Sequence, residues 1–312
     1  MSLSVHNVQA RITSADTASL RQSPPPQKLK IIFSVDVEDW FHILDVQSLP
    51  AQSVWHRLPS RMESNFHRLL DIFTENNARV TCFFLGWVAE HFPSLVREAA
   101  SRGHEIASHG YAHRLVYEMT GNEFYQDALR SKHLLEDISG TAVLGYRSAG
   151  FSLTNRSPWF FEKLAAAGYL YDSSVFPAWR THGGMPEACR APYVIGSDSS
   201  RIVEFPVSVV SLASKSMCFF GGGYLRLSPY WLIRKMAAEV LHSGRPLIFY
   251  VHPREIDPQH PRLEMNLFRR FKSYVNLDGT EDKIRRILDE FPVGTFQNFL
   301  ERHDRSTFQA FA

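Results

Sequence analysis

The chain has little of what marks a disulfide-bonded or zinc-thiolate protein. Its 312 residues include three cysteines, Cys82, Cys189 and Cys218. Because their number is odd and their spacing wide, neither a disulfide framework nor a zinc site of paired cysteines is indicated. Cys82 lies within an apolar run, where a cysteine behaves as a small core residue.

Long apolar stretches are also missing. No run approaches the roughly 20 residues that span a bilayer, and residues 1–20 contain no continuous apolar segment of the kind found in a signal peptide. The sequence therefore predicts a cytoplasmic protein without a transmembrane segment.

Charge is nearly balanced, with a formal net value of +2. Because lysine and arginine form no stripe, nucleic acid is not expected as a partner. Hydrophobic residues make up 44% of the chain and charged residues 21%, as in ordinary soluble domains. The 23 phenylalanines and 6 tryptophans allow a large aromatic core or an aromatic-lined cleft. The sequence predicts no particular oligomeric state.

Apolar runs alternate with segments of helical periodicity, which predicts an α/β fold of parallel βαβ units. The predicted strands are 29–35, 79–85, 104–107, 142–147, 169–171, 201–206 and 246–251. The predicted helices are 61–76, 87–101, 122–138, 158–167 and 229–242. The last two are expected to begin with a serine cap, Ser157 and Ser228, followed by proline.

One domain is expected over residues 29–302, because the composition does not break within this range. Residues 1–28 end in a polar, proline-rich segment that predicts a disordered lead, and residues 303–312 are predicted to be a C-terminal tail. Residues 176–200 and 207–226 are predicted to be long irregular loops that shape a substrate site.

Two histidines four residues apart, His109 and His113, indicate a possible metal site. Residues four apart on a helical turn share one face, so both imidazoles can point to the same place. Neutral imidazole is the commonest metal ligand in proteins. One such pair is weak evidence by itself, so the hypothesis needs a third ligand from elsewhere in the chain.

Polar residues recur where predicted strands end. The first strand runs into Asp36, Glu38 and Asp39, and three carboxylates after a buried strand are unfavourable unless they have a function. The residues at or just past strand ends are Asp36, Glu38, His109, Arg147, Asp172 and His252. In a parallel barrel these ends converge on one face, where active sites are built.

Two histidines and one carboxylate are a common set of protein ligands for catalytic zinc. A further carboxylate near a water could act as general base, and His252 could supply the acid for a leaving group. Such a set fits metal-dependent hydrolysis of an amide or ester. No serine lies in a G-x-S-x-G turn, so a serine nucleophile is not indicated.

These residues resemble, in order, five motifs of the metal-dependent polysaccharide deacetylases of carbohydrate esterase family 4. The matching stretches are Ser34 to Asp39, His109 to His113, Tyr146 to Gly150, Asp172 to Ser174 and Leu247 to His252. The resemblance covers residues 31–253 and implies an α/β, distorted (β/α) barrel of about seven parallel strands. Residues 261–281 further resemble a bacterial subgroup associated with exopolysaccharide gene clusters.

The resemblance implies catalytic and metal-binding roles. It implies Asp36 as the general base, Arg147 as the residue that holds this base, and His252 as the acid. It also implies a divalent metal, with Zn²⁺ as the expected ion, bound by His109 and His113 together with a carboxylate.

Substrate contacts follow from the same resemblance. Asp172 is expected in the wall of the groove and Leu247 in an apolar seat for the acetyl methyl group. Tyr146, in the third motif, is a further expected contact. Tyr111 is expected either to stack on a sugar ring or to fill the core.

Two positions depart from the family pattern. The commonest first motif has adjacent aspartates, whereas Val37 separates Asp36 from Glu38 here. Side chains at i and i+2 of a strand face the same way, which favours Glu38 as the metal ligand and leaves Asp39 as the alternative. The third motif usually has proline where Ala149 stands, which predicts a less rigid loop.

The sequence thus predicts a metal-dependent hydrolase that removes the N-acetyl group from an amino sugar of a polysaccharide or its precursor. Two alternatives stay open. One is a hydrolase of C–N bonds in a small cyclic amide, and the other is a non-catalytic glycan-binding barrel. The glycan, its chain length and the natural metal are not predicted.

Overall fold

A mostly parallel β-sheet forms the centre of the computed structural model, which describes residues 30–311 except 45, 47–48, 181, 197–199 and 214. The predicted lead, residues 1–28, lies outside the described residues. The strands are β1 (Ile31–Val37), β2 (Thr81–Phe84), β3 (Glu105–Ser108), β4 (Gly145–Tyr146), β5 (Tyr171–Asp172), β6 (Tyr193–Ile195), β7 (Ile202–Glu204), β8 (Val210–Leu212), β9 (Lys215–Met217), β10 (Leu247–Val251), β11 (Val293–Gly294) and β12 (Gln309–Phe311).

The helices lie between the strands in the alternating order that the sequence predicts. They are α1 (Met62–Glu75), α2 (Gly86–His91), α3 (Pro93–Ser101), α4 (Gly121–Ser139), α5 (Phe160–Ala166), α6 (Gly222–Leu227), α7 (Tyr230–His242), α8 (Leu267–Tyr274), α9 (Thr280–Glu290) and α10 (Phe296–Arg302). Every helix among the described residues is too short or too polar to span a bilayer.

Seven strands pair side by side in the order β10-β1-β2-β3-β4-β5-β7, and every pair is parallel. This confirms the predicted α/β fold. Among the described residues, β7 and β10 are not paired as neighbouring strands. Hydrogen bonds from loop residues connect the two edges instead. Ser208 Oγ donates to Pro246 O at 3.3 Å and accepts from Ile248 N at 2.9 Å.

The two faces of β1 pack against different surroundings, although the whole strand is buried. Phe33 and Val35 belong to the main core beneath the helices. Ile32 instead joins an inner cluster with Phe83 and Ile248. Because successive side chains of a strand point to opposite faces, Ser34 and Asp36 lie on the inner face with Ile32.

A proline divides one of the predicted helices. The expected helix over 87–101 is divided into α2 and α3 at Phe92, whose φ of −131° and ψ of 56° are not helical. A residue before proline avoids the helical region, since the proline ring contacts its backbone. Proline then occupies the first position of α3.

The two predicted serine caps are wrong. Ser157 and Pro158 form a turn, and α5 begins only at Phe160 without a side-chain cap. Similarly, α7 begins at Tyr230 with Pro229, not Ser228, in the capping position. In both cases the proline precedes the helix and does not occupy its first turn.

The long insertions contain more regular structure than the sequence predicts. β6 pairs with β7 in antiparallel fashion, and β8 and β9 form a separate hairpin. Residues 303–312, predicted to be a tail, include β12, which pairs in parallel with β6. The limits of the predicted domain at 29–302 stay a prediction.

Candidate active site

The inner face of the sheet changes from apolar to polar along the strand direction. Nearer the amino ends of β1 and β10, Ile32 and Ile248 are partners in register and belong to the inner apolar cluster. At the carboxyl ends of the same strands stand Asp36 and His252, which both line one cavity. The polar site residues therefore lie beyond the inner apolar cluster, at the carboxyl ends of the strands. Active sites of parallel barrels lie at the same end.

Glu38, His109 and His113 form a compact group of possible metal ligands. The Nε2 atoms of His109 and His113 each lie 2.9 Å from Glu38 Oε1. All three ligand atoms lie within 4.8 Å of one another, and all three residues are buried. Two imidazoles and a carboxylate are a zinc-type donor set.

The segment that carries both histidines is a loop, so the helical turn expected from their spacing is wrong. Gly110 has a φ of 73° and His113 a φ of 54°, both in the left-handed region that a helix does not use. The carbonyl groups of Gly110 and Tyr111 accept hydrogen bonds from the first two residues of α2. The loop thereby satisfies donors that a helix start leaves open.

Between the two candidate carboxylates, the structure brings Glu38 and not Asp39 to the histidines. Asp39 Oδ1 accepts from Trp40 N at 2.8 Å, which caps the short 3₁₀ turn of residues 40–42. Its Oδ2 accepts from Ser60 Oγ at 2.6 Å. Both oxygens of Asp39 are therefore engaged outside the ligand group.

Hydrogen bonding around His109 fits a cation at this group. Its Nδ1 lies 2.8 Å from Arg147 O, and a carbonyl oxygen can only accept, so Nδ1 carries a proton. In the neutral ring, Nε2 then presents a lone pair towards Glu38, as a metal ligand does. Without a cation, two acceptors would face each other at 2.9 Å unless the ring is protonated.

Without a cation, the charges of this group favour a Glu38 carboxylate beside a protonated His109 ring. Burial by itself would raise the pKa of Glu38, but the nearby His113 and His252 and hydrogen bonds from His109 and His113 hold it well below its usual range. For His109, burial would lower the pKa, but the hydrogen bond to Glu38 and the charge of Asp36 raise it. A buried carboxylate that stays charged is what a cation site requires.

Asp36 is held by a buried arginine. Arg147 Nη1 donates to Asp36 Oδ1 at 2.6 Å and to Ser34 Oγ at 2.9 Å. Arg147 Nε donates to Ser173 O at 3.3 Å, and its guanidinium stacks 4.1 Å from the Phe83 ring centroid. The guanidinium is thus fixed from several sides, which orients the Asp36 carboxylate.

His252 stands opposite this carboxylate. Its Nε2 lies 3.9 Å from Asp36 Oδ2 and 4.0 Å from Glu38 Oε2. Its Nδ1 lies 3.2 Å from Glu255 Oε2, which also accepts from the His252 backbone N at 3.0 Å. Glu255 Oε1 in turn accepts from the buried guanidinium of Arg226.

This pairing sets the charge of Glu255. Burial alone would raise the pKa of Glu255, but Arg226 and His252 lower it to about 2. Glu255 is therefore a carboxylate that fixes Nδ1 of His252, leaving Nε2 to face the cavity.

The cavity has a volume of about 720 Å³. Four of the predicted site residues line it: Asp36, Glu38, His113 and His252. His109 and Arg147 are buried just behind them and reach the site through Glu38 and Asp36. The structure thus brings together the residues expected as base, acid and metal ligands.

Two predicted substrate contacts lie on the wrong face of their strands. Leu247 is in the outer core, because Ile248 and Tyr250 take the inner positions of β10. Tyr146 likewise packs in the outer core, with Phe124 at a centroid distance of 5.5 Å. Neither lines the cavity, so neither position supports a substrate contact.

Asp172 and Tyr111 are also outside the cavity lining. Asp172 Oδ1 accepts from Ser174 Oγ at 2.7 Å, and burial raises its pKa to about 6. The Tyr111 hydroxyl donates to Glu90, and Arg130 stacks 3.5 Å from its ring centroid. Of the two roles left open for Tyr111, the structure agrees with packing.

Several cavity residues were not predicted from the sequence. His42 lines the cavity, and its Nδ1 accepts from Asp39 N at 3.0 Å. Burial lowers the pKa of His42 well below its usual range. Tyr250, two residues before His252, could have been found from strand alternation. Strand alternation could not have indicated Arg226, because this residue belongs to α6.

Two family models match consecutive segments of the chain. Residues 53–169 match the family described as polysaccharide deacetylase. Residues 173–301 match a family described only as a domain of unknown function, DUF3473. The first segment carries His109, His113 and Arg147, and the second carries His252.

Curated relatives share a part of the chain. It is 30% identical over 113 residues to a peptidoglycan deacetylase of Helicobacter pylori, a match of 36% of this chain and 38% of that protein. It is 30% identical over 97 residues to a peptidoglycan-N-acetylglucosamine deacetylase of Bacillus cereus, covering 31% and 35%. The chain thus spans little more than a third of these relatives' lengths.

Solved structures share the fold over most of the chain. A candidate polysaccharide deacetylase from Mycobacterium smegmatis has a TM-score of 0.63 and 19% identity, covering 93% of this chain and 96% of that one. Puue allantoinase has a TM-score of 0.57 and 17% identity, covering 93% and 97%. The exopolysaccharide subgroup stays a prediction, and the matches support a polysaccharide deacetylase domain over residues 53–169.

Proposed function

We propose that the protein is a metal-dependent deacetylase that removes the N-acetyl group from an amino sugar of a glycan. The proposal rests on one observation: a group of possible metal ligands, a carboxylate and an imidazole lie together at one cavity. The ligand group of Glu38, His109 and His113 lies beside a carboxylate, Asp36, and an opposing imidazole, His252.

The buried ligand group would hold the divalent metal, and Zn²⁺ matches its donor atoms best. When bound, such a cation polarises the amide carbonyl and lowers the pKa of water beside it. Glu38 supplies the negative charge, and the hydrogen bond between His109 Nδ1 and Arg147 O fixes the tautomer that leaves Nε2 as a ligand atom.

Asp36 is the proposed general base. Its Oδ1 is held by Arg147, while its Oδ2 faces His252 across a gap of 3.9 Å. This free oxygen is placed to take a proton from the attacking water. Because Arg147 fixes the other oxygen, the base has one orientation, which lowers the entropy cost of reaching the reactive geometry.

His252 is the proposed general acid. Glu255 engages Nδ1, so that Nε2 is the atom directed at the reacting group. In its protonated form His252 gives the Nε2 proton to the amide nitrogen as the C–N bond breaks. The new C–O bond comes from water, and the products are acetate and the ammonium form of the amino sugar.

The cavity supports a glycan over a small cyclic amide. Its volume of about 720 Å³ lies within the range of roughly 300–1,000 Å³ for ligand sites and exceeds what a single small amide fills. The presence of both Asp36 and His252 in facing positions also argues for a catalytic rather than a glycan-binding barrel.

Acetate release tests this proposal. The full chain is stripped with a chelator, reloaded with Zn²⁺, and assayed on N-acetylglucosamine oligomers and on a small cyclic amide. We expect acetate from the oligomers only after reloading. Zinc-independent release, or ring opening of the cyclic amide without release of acetate, would contradict the proposal.

A matched pair of variants tests the ligand group. Glu38→Gln removes the negative ligand and should lower bound zinc from about one ion per chain to near zero in elemental analysis. Glu63→Gln, at an exposed position of α1, should leave zinc content unchanged. Equal zinc content in both variants would show that Glu38 is not a ligand.

A further inference from the structure

Exposed apolar side chains are concentrated at the mouth of the active-site cavity. In the described part of the chain, five of the ten exposed large apolar side chains line this cavity. Leu267 adjoins them at the first turn of α8 and is 83% exposed. We call this set the apolar rim: Trp179, Tyr224, Leu227, Leu267, Phe268 and Phe271. Large exposed apolar side chains gathered around one opening mark an interaction site.

The rim is built on packed helices. Arg226 of α6 donates through Nη2 to Lys272 O of α8 at 2.7 Å, and Asn276 Nδ2 donates to Arg226 O at 2.8 Å. A Cβ atom at Gly223 would lie 2.9 Å from Lys272 O. The glycine therefore permits the close approach of α6 and α8, which holds their apolar side chains in place.

Cationic side chains lie beside the rim, whereas the carboxylates of the cavity lining, Asp36, Glu38 and Glu255, are buried. Arg180, Arg254, Arg269 and Lys272 line the same cavity, and Arg270 of α8 is exposed. Residues 265–277 contain no aspartate or glutamate. On α8, Leu267, Phe268 and Phe271 share one side by their spacing, and cationic residues alternate with them. Apolar and cationic side chains on one short helix are typical of helices that lie at a membrane surface.

We propose that the apolar rim docks the protein on the surface of an anionic lipid bilayer, with the cavity mouth facing the headgroups. The cations match anionic headgroups, while Leu267, Phe268 and Phe271 enter the boundary with the acyl chains. A second copy of the chain fits less well, because a two-fold contact would bring the cations of both copies together. Two members of the rim are leucines, which offer no aromatic face to a sugar ring.

An inference about the substrate follows from this placement, and it rests on the proposed function. If the cavity mouth lies against headgroups, the glycan that enters it is one held at a membrane surface. Vesicle binding itself is independent of the hydrolysis, so the two proposals can fail separately.

The test uses the full chain and lipid vesicles in a sedimentation assay. One set of vesicles is phosphatidylcholine alone, and the other contains about one third phosphatidylglycerol. The protein is expected to sediment with the anionic vesicles and to stay in solution with the neutral ones. Added salt should release it, because surface charges are screened.

A double variant, Leu267→Glu with Arg270→Glu, targets the rim outside the cavity lining. Leu267→Glu lowers the net charge by one and Arg270→Glu by two. Each charge near an anionic surface changes binding about fivefold, so binding should weaken on the order of a hundredfold. Glutamate at the first turn of a helix is favourable, so α8 should stay folded. Acetate release from soluble oligomers should be unchanged.

The matched control is Trp231→Glu. Trp231 is 65% exposed and lies beside Arg234 and Lys235, away from the cavity. This variant should bind anionic vesicles as the unmodified protein does. Arg270→Glu alone, at an exposed position, should weaken binding on the order of twentyfold.

Three results would overturn the proposal. One is the absence of binding to anionic vesicles at low salt. Another is equal binding by the double variant and the unmodified protein. The third is a light-scattering mass that falls from dimer to monomer in the double variant, which would assign the rim to a second copy.

Discussion

Replacing Glu255 by glutamine should destabilise the protein to an extent that depends on pH. The Glu255 carboxylate is buried, bonded to Arg226 and 3.2 Å from His252 Nδ1. Burial by itself raises its pKa, but Arg226 and His252 lower it from an ordinary 4.5 to about 2. This difference corresponds to about 3 kcal/mol of folding free energy.

The direction of the pH effect follows from the lowered pKa. The contribution is fully present above pH 4.5 and is lost as the pH falls from 4.5 towards about 2. Protonated Glu255 leaves Arg226 unpaired, as glutamine does. The free energies of unfolding of the unmodified protein and of Glu255→Gln should therefore differ by about 3 kcal/mol near pH 7 and converge in acid.

Urea unfolding followed by tryptophan fluorescence measures both free energies at several pH values. The control is Glu63→Gln, which removes an exposed carboxylate on α1 and should change stability by less than about 0.5 kcal/mol. A difference for Glu255→Gln that stays constant from neutral pH into acid would refute the reasoning. So would a difference below about 1 kcal/mol near pH 7.

Three further substitutions separate packing from chemistry. Gly145→Ala would place a Cβ 1.9 Å from Tyr171 Cζ, so the free energy of unfolding in urea should fall by at least about 2 kcal/mol. Tyr146→Phe should leave acetate release within about twofold of the unmodified rate, because the residue packs in the outer core. Arg147→Lys should lower kcat on the order of a hundredfold with zinc content unchanged, because lysine cannot reproduce the forked contacts that orient Asp36.

The positions of the main strands along the chain could be predicted, because buried parallel strands appear in a sequence as short apolar runs. β1, β2 and β10 each appear in the sequence as such a run, and polar residues stand at the carboxyl ends of β1 and β10. The positions of Asp36 and His252 come from this pattern, without any knowledge of long-range contacts.

The face of a strand on which a residue lies was harder to predict. Leu247 and His252 belong to one motif, yet their five-residue separation puts them on opposite faces of β10. Tyr146 and Arg147 are adjacent and therefore also diverge. A strict count by twos from Arg147 and from His252 would have excluded Tyr146 and Leu247.

Contacts between distant segments carry no local signal. Arg226 pairs with Glu255 across 29 positions, and Asp39 is engaged by Ser60. The loop of His109 and His113 could not be told from a helical turn, because two residues four apart fit both. Only the left-handed backbone at Gly110 and His113 separates them.

The most direct test of the central claim is acetate release by Asp36→Asn, with zinc measured in the same sample. Asparagine keeps the shape of Asp36 and cannot take a proton, while Glu38, His109 and His113 are untouched. The account predicts about one zinc per chain and a rate lower by at least a hundredfold. A zinc-loaded Asp36→Asn protein that releases acetate at the unmodified rate would contradict it.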